Sequence, residues 1–72
     1  YALPKESYVR LCIFDISGTL VRTLVHRRES AGNKRVLWNG RDSSGKNVSG
    51  GIYLYRIEAE EYTATRKMLL LR

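Results

Sequence analysis

Apolar and polar residues alternate with a period of two along much of the chain, and no segment of useful length keeps the 3.6-residue period of an amphipathic helix. Tyr8–Ile16 is the clearest case. Val9, Leu11 and Ile13 fall on one face; Arg10, Cys12 and Phe14 fall on the other. The first set is uniformly apolar and is predicted to face the core. Asp15-Ile16-Ser17-Gly18 closes this strand, because an Asp opening a turn accepts backbone N–H bonds and Gly suits the fourth position. Leu20–Arg27 reads as the next strand, which makes Asp15–Gly18 a hairpin turn. Its alternation is broken, with Val21 and Val25 flanking Thr23 on one face and Leu20 and Leu24 on the other. That pattern predicts a bulge, or burial on both sides at one end.

The remaining elements are shorter or less regular. Tyr1–Leu3 reads as the tail of a strand stopped at Pro4, which lacks the ladder N–H, and Lys5-Glu6-Ser7 as a turn. Arg27–Arg35 is a charged connection. Arg35–Asn39 is predicted as a short strand, with Trp38 inside, since so small a domain needs its largest apolar side chain in the core. Asn39-Gly40 and Ser44-Gly45 are turn pairs, and Gly50-Gly51 permits a sharp bend. Ile52–Ile57 is the predicted central strand, with Tyr53, Tyr55 and Ile57 on one face and Ile52, Leu54 and Arg56 on the other. Glu58–Tyr62 is a second charged hairpin. Thr63–Leu71 is the last strand; both its faces are apolar near the end, so alternation alone does not settle which points inward, and Met68 and Leu70 are favoured over Lys67, Leu69 and Leu71. No internal repeat and no low-complexity tract is visible. Strands spaced by about 8–12 residues with turns between them indicate an all-β sandwich or barrel.

Size and charge narrow the function classes. Seventy-two residues make one domain. A chain this short buries only about 60% of its unfolded surface, so its stability is predicted to be small. Cys12 is the only cysteine, which excludes an intrachain disulfide and favours a packed free thiol. The net charge of +6 permits attraction to nucleic acid, anionic lipid or acidic glycans, but Lys and Arg are spread along the chain, as on a solvated basic surface. There is no apolar run long enough for a membrane span; Met68-Leu69-Leu70-Leu71 is far too short. The chain begins in mid-pattern at Tyr1-Ala2-Leu3-Pro4, without a Met or a signal peptide. The expectation is a fragment of a longer protein whose export signal lies upstream.

Candidate chemistry is sparse. His26 is the only histidine, and with Cys12 it would supply at most two metal ligands, so an exposed strand-end histidine is expected. Glu58, Glu60 and Glu61 fall at a hairpin tip, where a solvated turn is expected and nothing suggests the desolvated pocket that acid–base work needs. Asp42-Ser43-Ser44-Gly45 has the oxygens of a calcium loop but not its repeated acids or closing Glu, and reads as an Asp-initiated turn. Asn47-Val48-Ser49 fits a glycosylation sequon, a three-residue match that is common by chance. Tyr53 and Tyr55 beside Arg56 imitate a base-stacking platform, but the core needs the same rings. No catalytic residue, metal, cofactor or nucleic-acid partner is expected.

The run Val9-Arg10-Leu11-Cys12-Ile13-Phe14-Asp15-Ile16-Ser17-Gly18 resembles the "V-x-L-x-I-Y-D-x-x-G" segment of the immunoglobulin-like domain of the flagellar hook-capping family. The likeness continues through Leu20–Leu24, Gly32, Val36–Asp42, Gly45, Val48, Gly51–Arg56 and Lys67–Leu71, and so spans nearly the whole chain. Such domains are similar to the C-terminal sorting domains of the type IX secretion system. Phe14 stands where the pattern commonly has Tyr, and Gly50 where a Ser often precedes the Gly. The Asn-Pro-rich segment that introduces the family's first strand does not occur here, which leaves the completeness of that strand open.

The resemblance implies a small antiparallel immunoglobulin-like β-sandwich of about six to seven strands over residues 1–72, without catalytic role. It implies a C-terminal module for secretion, sorting or surface attachment of a larger exported bacterial protein, with Arg72 as a natural C-terminus. The implied partners are an upstream catalytic or surface domain of the same polypeptide and the secretion translocon or cell envelope; the implied location is outside the cell or on its surface, reached through the periplasm. Recognition is expected on the final strand, at Arg66, Lys67, Leu69, Leu71 and Arg72, because an edge strand offers unpaired N–H and C=O groups. The rival readings are an accessory module for carbohydrate, cell wall or protein, which needs an outward ring such as Phe14, Tyr8 or Tyr62, and a plain spacer. A small hydrolase finds no triad or carboxylate pocket in this sequence.

Overall fold

A computed structural model describes residues 1–60 and 62–71, which form six strands and no helix. They are β1 (Ala2–Leu3), β2 (Ser7–Asp15), β3 (Leu20–Glu29), β4 (Gly32–Asn33), β5 (Gly51–Ala59) and β6 (Tyr62–Leu70). Four of them make an antiparallel sheet in the order β3-β2-β5-β6, and β1 pairs with β4 in a second, two-stranded sheet.

The period-two pattern of β2 explains why it sits in the interior of the larger sheet. Val9, Leu11 and Ile13 are all buried on one face, Val9 completely. Leu11 stands between Val25 of β3 and Ile57 of β5. Leu3, Val9, Leu11, Val25 and Ile57 form the core cluster, and Tyr1, Leu24, Val36 and Tyr55 pack against it. Each fully buried aliphatic side chain of this kind contributes about 1.5–3 kcal/mol relative to exposure.

The broken alternation of β3 has a direct cause. The β2–β3 register shifts twice, between Leu11 and Cys12 and between Ile13 and Phe14, so Leu24 and Val21 are extra residues on β3. A bulge lets two successive residues lean to one side. Leu24 and Val25 accordingly both pack on the core. By contrast, β5 and β6 pair without a shift from Gly51↔Leu70 to Ala59↔Tyr62.

Across the core face lies a thinner cover made of β1, β4 and residues 34–38. Tyr1 and Lys34 extend its ladder by exchanging both backbone bonds, at 2.9 and 2.7 Å. The Tyr1 hydroxyl donates to Glu29 Oε1 at 3.0 Å, and the Tyr62 hydroxyl donates to the Ala2 carbonyl at 3.0 Å, which ties the cover to β3 and β6.

Several expected boundaries move. Ser7 belongs to β2 instead of a turn, and β3 runs to Glu29 through part of the expected charged connection. Pairing of Tyr8 with Arg28, and ion pairs from Arg28 to Glu6 (2.9 Å) and Glu60 (3.3 Å), hold that extension. The Glu58–Tyr62 connection shrinks to Glu60 and Glu61, the latter outside the described residues. The last strand starts one residue early and ends one early, at Tyr62–Leu70.

The expected strand Arg35–Asn39 is not formed: among the described residues the cover's pairing stops at Lys34, opposite Tyr1. Trp38 is half-buried, not inside. Its ring meets Tyr53 edge-on at 5.2 Å, and its indole N–H donates to the Arg41 carbonyl at 2.9 Å. A buried indole needs an acceptor for that N–H. Here the acceptor belongs to the loop, which holds the ring at the rim.

Two loops share one local construction, a five-residue likeness too short to register as a repeat. Asp15-Ile16-Ser17-Gly18-Thr19 and Asp42-Ser43-Ser44-Gly45-Lys46 both follow D-x-S-G-x. In each, Asp Oδ1 accepts from the backbone N–H and the hydroxyl of the Ser and from the N–H of the fifth residue, at 2.6–3.0 Å. Gly18 and Gly45 adopt φ of 90° and 87°, the left-handed region open to Gly at no steric cost.

Candidate functional site

β6 is an edge strand because it pairs with β5 on one side only. The alternation of a strand then sorts its side chains. Lys67 stands beside Leu54, and Leu69 beside Ile52, on the face away from the core. Leu69 is 64% exposed, and Leu71, just past the strand, is 81% exposed. Arg66 pairs with Tyr55 and lies on the core-facing side. The five expected recognition residues are therefore split. Lys67, Leu69 and Leu71 belong together, Arg66 faces the opposite side of the sheet, and Arg72 lies outside the described residues.

The sheet adds neighbours that the strand alone does not supply. The register puts Leu20, Phe14, Leu54 and Lys67 in one row across all four strands, with Ile52 and Leu69 beside it. Leu20 and Ile52 are each about half exposed, so the corner is an apolar patch with Lys67 at its edge. Phe14 is itself half-buried, with the Arg56 guanidinium 4.8 Å above its ring, a cation–π contact. Behind them Cys12 is buried as a free thiol, 3.6 Å from the Thr23 hydroxyl. The sequence carried a usable signal for most of this patch, the parity that sets Phe14 opposite Val9, Leu11 and Ile13 on β2, Ile52 and Leu54 opposite Tyr53 and Tyr55 on β5, and Lys67 with Leu69 on β6. It carried none for Leu20, whose position depends on the two bulges.

On the core-facing side a groove of about 670 Å³ opens between the sheet and the cover. Its floor includes Tyr55, Ala64 and Met68, its cover-side wall Val36 and Trp38, and Arg35 and Arg66 stand at its mouth. Met68 and Leu70 are half-buried on this side, the orientation favoured for them.

The acidic groups are engaged in structure. Hydrogen bonds from the Ser17 hydroxyl and the Thr19 N–H hold Asp15 below the usual carboxylate range, and Ser44 and Lys46 do the same for Asp42. The Tyr1 hydroxyl lowers Glu29. Tyr1 in turn is pushed up to about 12, first by burial and then by its bond to Glu29. His26 is exposed, with its ring edge-on to Tyr8 at 5.5 Å. Among the described residues, no three His, Cys, Asp or Glu side chains gather as a metal site, and no helix is long and apolar enough to cross a membrane. What the outer corner offers is a free strand edge beside apolar surface, the chemistry of partner binding.

Residues 1–63 match the sequence model of a family described as FlgD Ig-like domain. No curated protein and no solved structure matches the chain.

Proposed function

The chain belongs to the FlgD Ig-like domain family, and from that premise we propose that it is a non-catalytic β-sandwich module through which a larger exported bacterial protein is sorted or attached at the cell surface. The upstream part of that polypeptide is its covalent partner. The secretion translocon or the cell envelope is its recognition partner, met outside the inner membrane. The observation that carries this reading is the free edge of β6 flanked by exposed Leu69 and Leu71. An incoming strand can pair with that edge while its side chains on the outer face contact Lys67 and Leu69. Lys67, and Arg72 beyond the described residues, would select an acidic partner and oppose self-pairing. The alternative, an accessory or spacer module, does not make export depend on this edge; of the rings a glycan-binding version would use, Phe14 is capped by Arg56 and Tyr62 donates to the Ala2 carbonyl, while Tyr8 is 44% exposed beside His26.

An export assay separates the two. A reporter with a signal peptide is fused to this chain and expressed in a bacterium that has the type IX system. The expected result is export that is lost when Lys67–Arg72 are removed. Because that deletion cuts into β6, a second variant, Lys67→Glu with Leu69→Glu, keeps the strand and should also abolish export. Periplasmic retention of the unaltered, folded fusion contradicts the sorting reading and leaves the accessory one.

A further inference from the structure

We propose that the end of the larger sheet at the β2–β3 turn is a lipid-docking surface, which sets Ile16, Leu20, Ile52 and Leu69 into an anionic membrane interface. It shares Leu69 with the β6 edge but does not depend on the sorting reading.

The twin loops supply the first observation. Asp15–Thr19 and Asp42–Lys46 are built on the same Asp, Ser and Gly, and the side chain of the second residue takes no part in the bonds of the turn. That residue is Ser43 in one loop and Ile16 in the other. The Ser43 hydroxyl donates to the Val21 carbonyl at 3.2 Å, whereas Ile16 stands at the hairpin tip, 76% exposed. Nothing in the construction of the turn asks for an aliphatic side chain there, and its hydration is unfavourable.

The register gathers further aliphatic side chains at the same end. Phe14 pairs with both Leu20 and Leu54, Asp15 with Tyr53, and Ile52 with Leu69. The tip of the β2–β3 hairpin, the start of β5 and the last residues of β6 therefore lie together. Leu20 and Ile52 are each about half exposed, and Leu69 more so. A protein partner meets an apolar patch with a packed, complementary surface. An end made of a hairpin tip and strand termini offers separate aliphatic tips, the shape that enters a fluid interface.

Charge identifies the interface as anionic. Glu6, Glu29, Glu58 and Glu60 lie at the other end of the sheet, where they pair with Arg27, Arg28 and Arg56. At the aliphatic end the described carboxylates are Asp15 and Asp42, and Oδ1 of each already accepts the bonds of its own loop. Lys67 stands beside Leu54 and Leu69, and Lys46 belongs to the loop that Ser43 ties to Val21, next to Leu20. Neither lysine forms an ion pair with a described carboxylate. The whole chain carries +6. Unpaired cations at the aliphatic end, with most of the acids at the far end, turn that end toward a negative surface.

The test is cosedimentation of the chain with vesicles of phosphatidylcholine alone and of phosphatidylcholine with about 30% phosphatidylglycerol, at low salt. The chain should bind the anionic vesicles, less so at high salt, and the neutral ones about tenfold more weakly. Ile16→Ser, which installs the residue of the matching loop, should weaken binding about tenfold and leave the circular dichroism unchanged. Lys46→Glu should weaken it about tenfold or more, and Arg27→Glu, the same change of charge at the far end, markedly less. None of these substitutions touches β6, and vesicles need no secretion machinery, so this result and the export result can fail separately. Three results overturn the proposal. The first is no binding of the folded chain to anionic vesicles, which leaves this end to a protein partner. The second is undiminished binding by Ile16→Ser, which means that charge alone holds the chain at the surface. The third is equal losses from Lys46→Glu and Arg27→Glu, which means that no one end is presented.

Discussion

The two sides of the core are built to different standards. On one side, four strands pair over nine or ten residues each; Val9, Leu11, Ile13, Val25, Tyr53 and Ile57 are excluded from water, and the inward residues of the edge strand β6 are half-buried or exposed. On the other, two strands of two residues each and an irregular segment lie over the same apolar face and leave a groove. The strand pattern of the sequence is the same in kind on both sides. What differs is the neighbour. Val36 and Trp38 alternate like strand residues, but no described residue pairs with their backbone; Val36 packs on the core cluster and both line the groove. A period-two pattern therefore marks a surface ready for burial, and whether burial follows depends on what lies opposite.

The comparison breaks most visibly in the sheet. Ile13→Ala removes a side chain that is 1% exposed and should cost ~2–5 kcal/mol, comparable to the whole stability of so small a domain. Circular dichroism should show an unfolded or barely folded chain at room temperature. In the cover, Trp38→Ala should cost about 2 kcal/mol, roughly half the loss for a fully buried aromatic, and leave a cooperative urea transition. If Trp38→Ala proves worse than Ile13→Ala, the ranking of the two layers is inverted.

The twin loops sharpen the same contrast with matched chemistry. Neither Gly18 nor Gly45 has a neighbour within 4 Å of an added Cβ, so Gly→Ala at either costs only backbone strain, about 1 kcal/mol. Gly18 closes the β2–β3 hairpin, and Gly18→Ala should lower global stability by that amount. Gly45 lies in a loop that touches the sheet through Ser43, whose N–H donates to the Val21 carbonyl at 3.1 Å. Gly45→Ala should move local opening, measured by hydrogen exchange, more than the urea midpoint.

The smallest effects are those of pH. Asp15, Asp42 and Glu29 titrate lower folded than unfolded, so their contribution is complete above the ordinary carboxylate range near 4 and is lost as pH falls through their folded values. Tyr1 has the opposite sign. Its raised value means a contribution present below about pH 10 and lost as pH rises through about 12. Tyr1→Phe removes the bond to Glu29, and a series of urea midpoints should then be flatter at both extremes.

Much of the larger sheet was legible in the residues. The inward face of β2 and the irregularity of β3 follow from alternation, and the Asp-initiated turns follow from the chemistry of Asp, Ser and Gly; the last strand is apolar on both faces near its end, so alternation grouped Met68 with Leu70 without deciding that they point inward. The rim position of Trp38 was not legible, since it depends on an acceptor supplied by Arg41. The outer corner was half legible. Lys67, Leu69 and Leu71 share a face by parity, whereas Leu20 reaches Phe14 only because Val21 and Leu24 are extra residues. Arg66 was grouped with them by sequence proximity and lies on the other side of the sheet.

Residue-resolved amide hydrogen exchange of the unaltered chain tests the contrast between the layers most directly. The amides of Leu11 and Ile57, in the two central strands, should exchange only through global unfolding, and those of Val36 and Trp38 at rates close to an unfolded chain. Protection at Val36 and Trp38 equal to that at Leu11 would mean that the cover is as well built as the sheet.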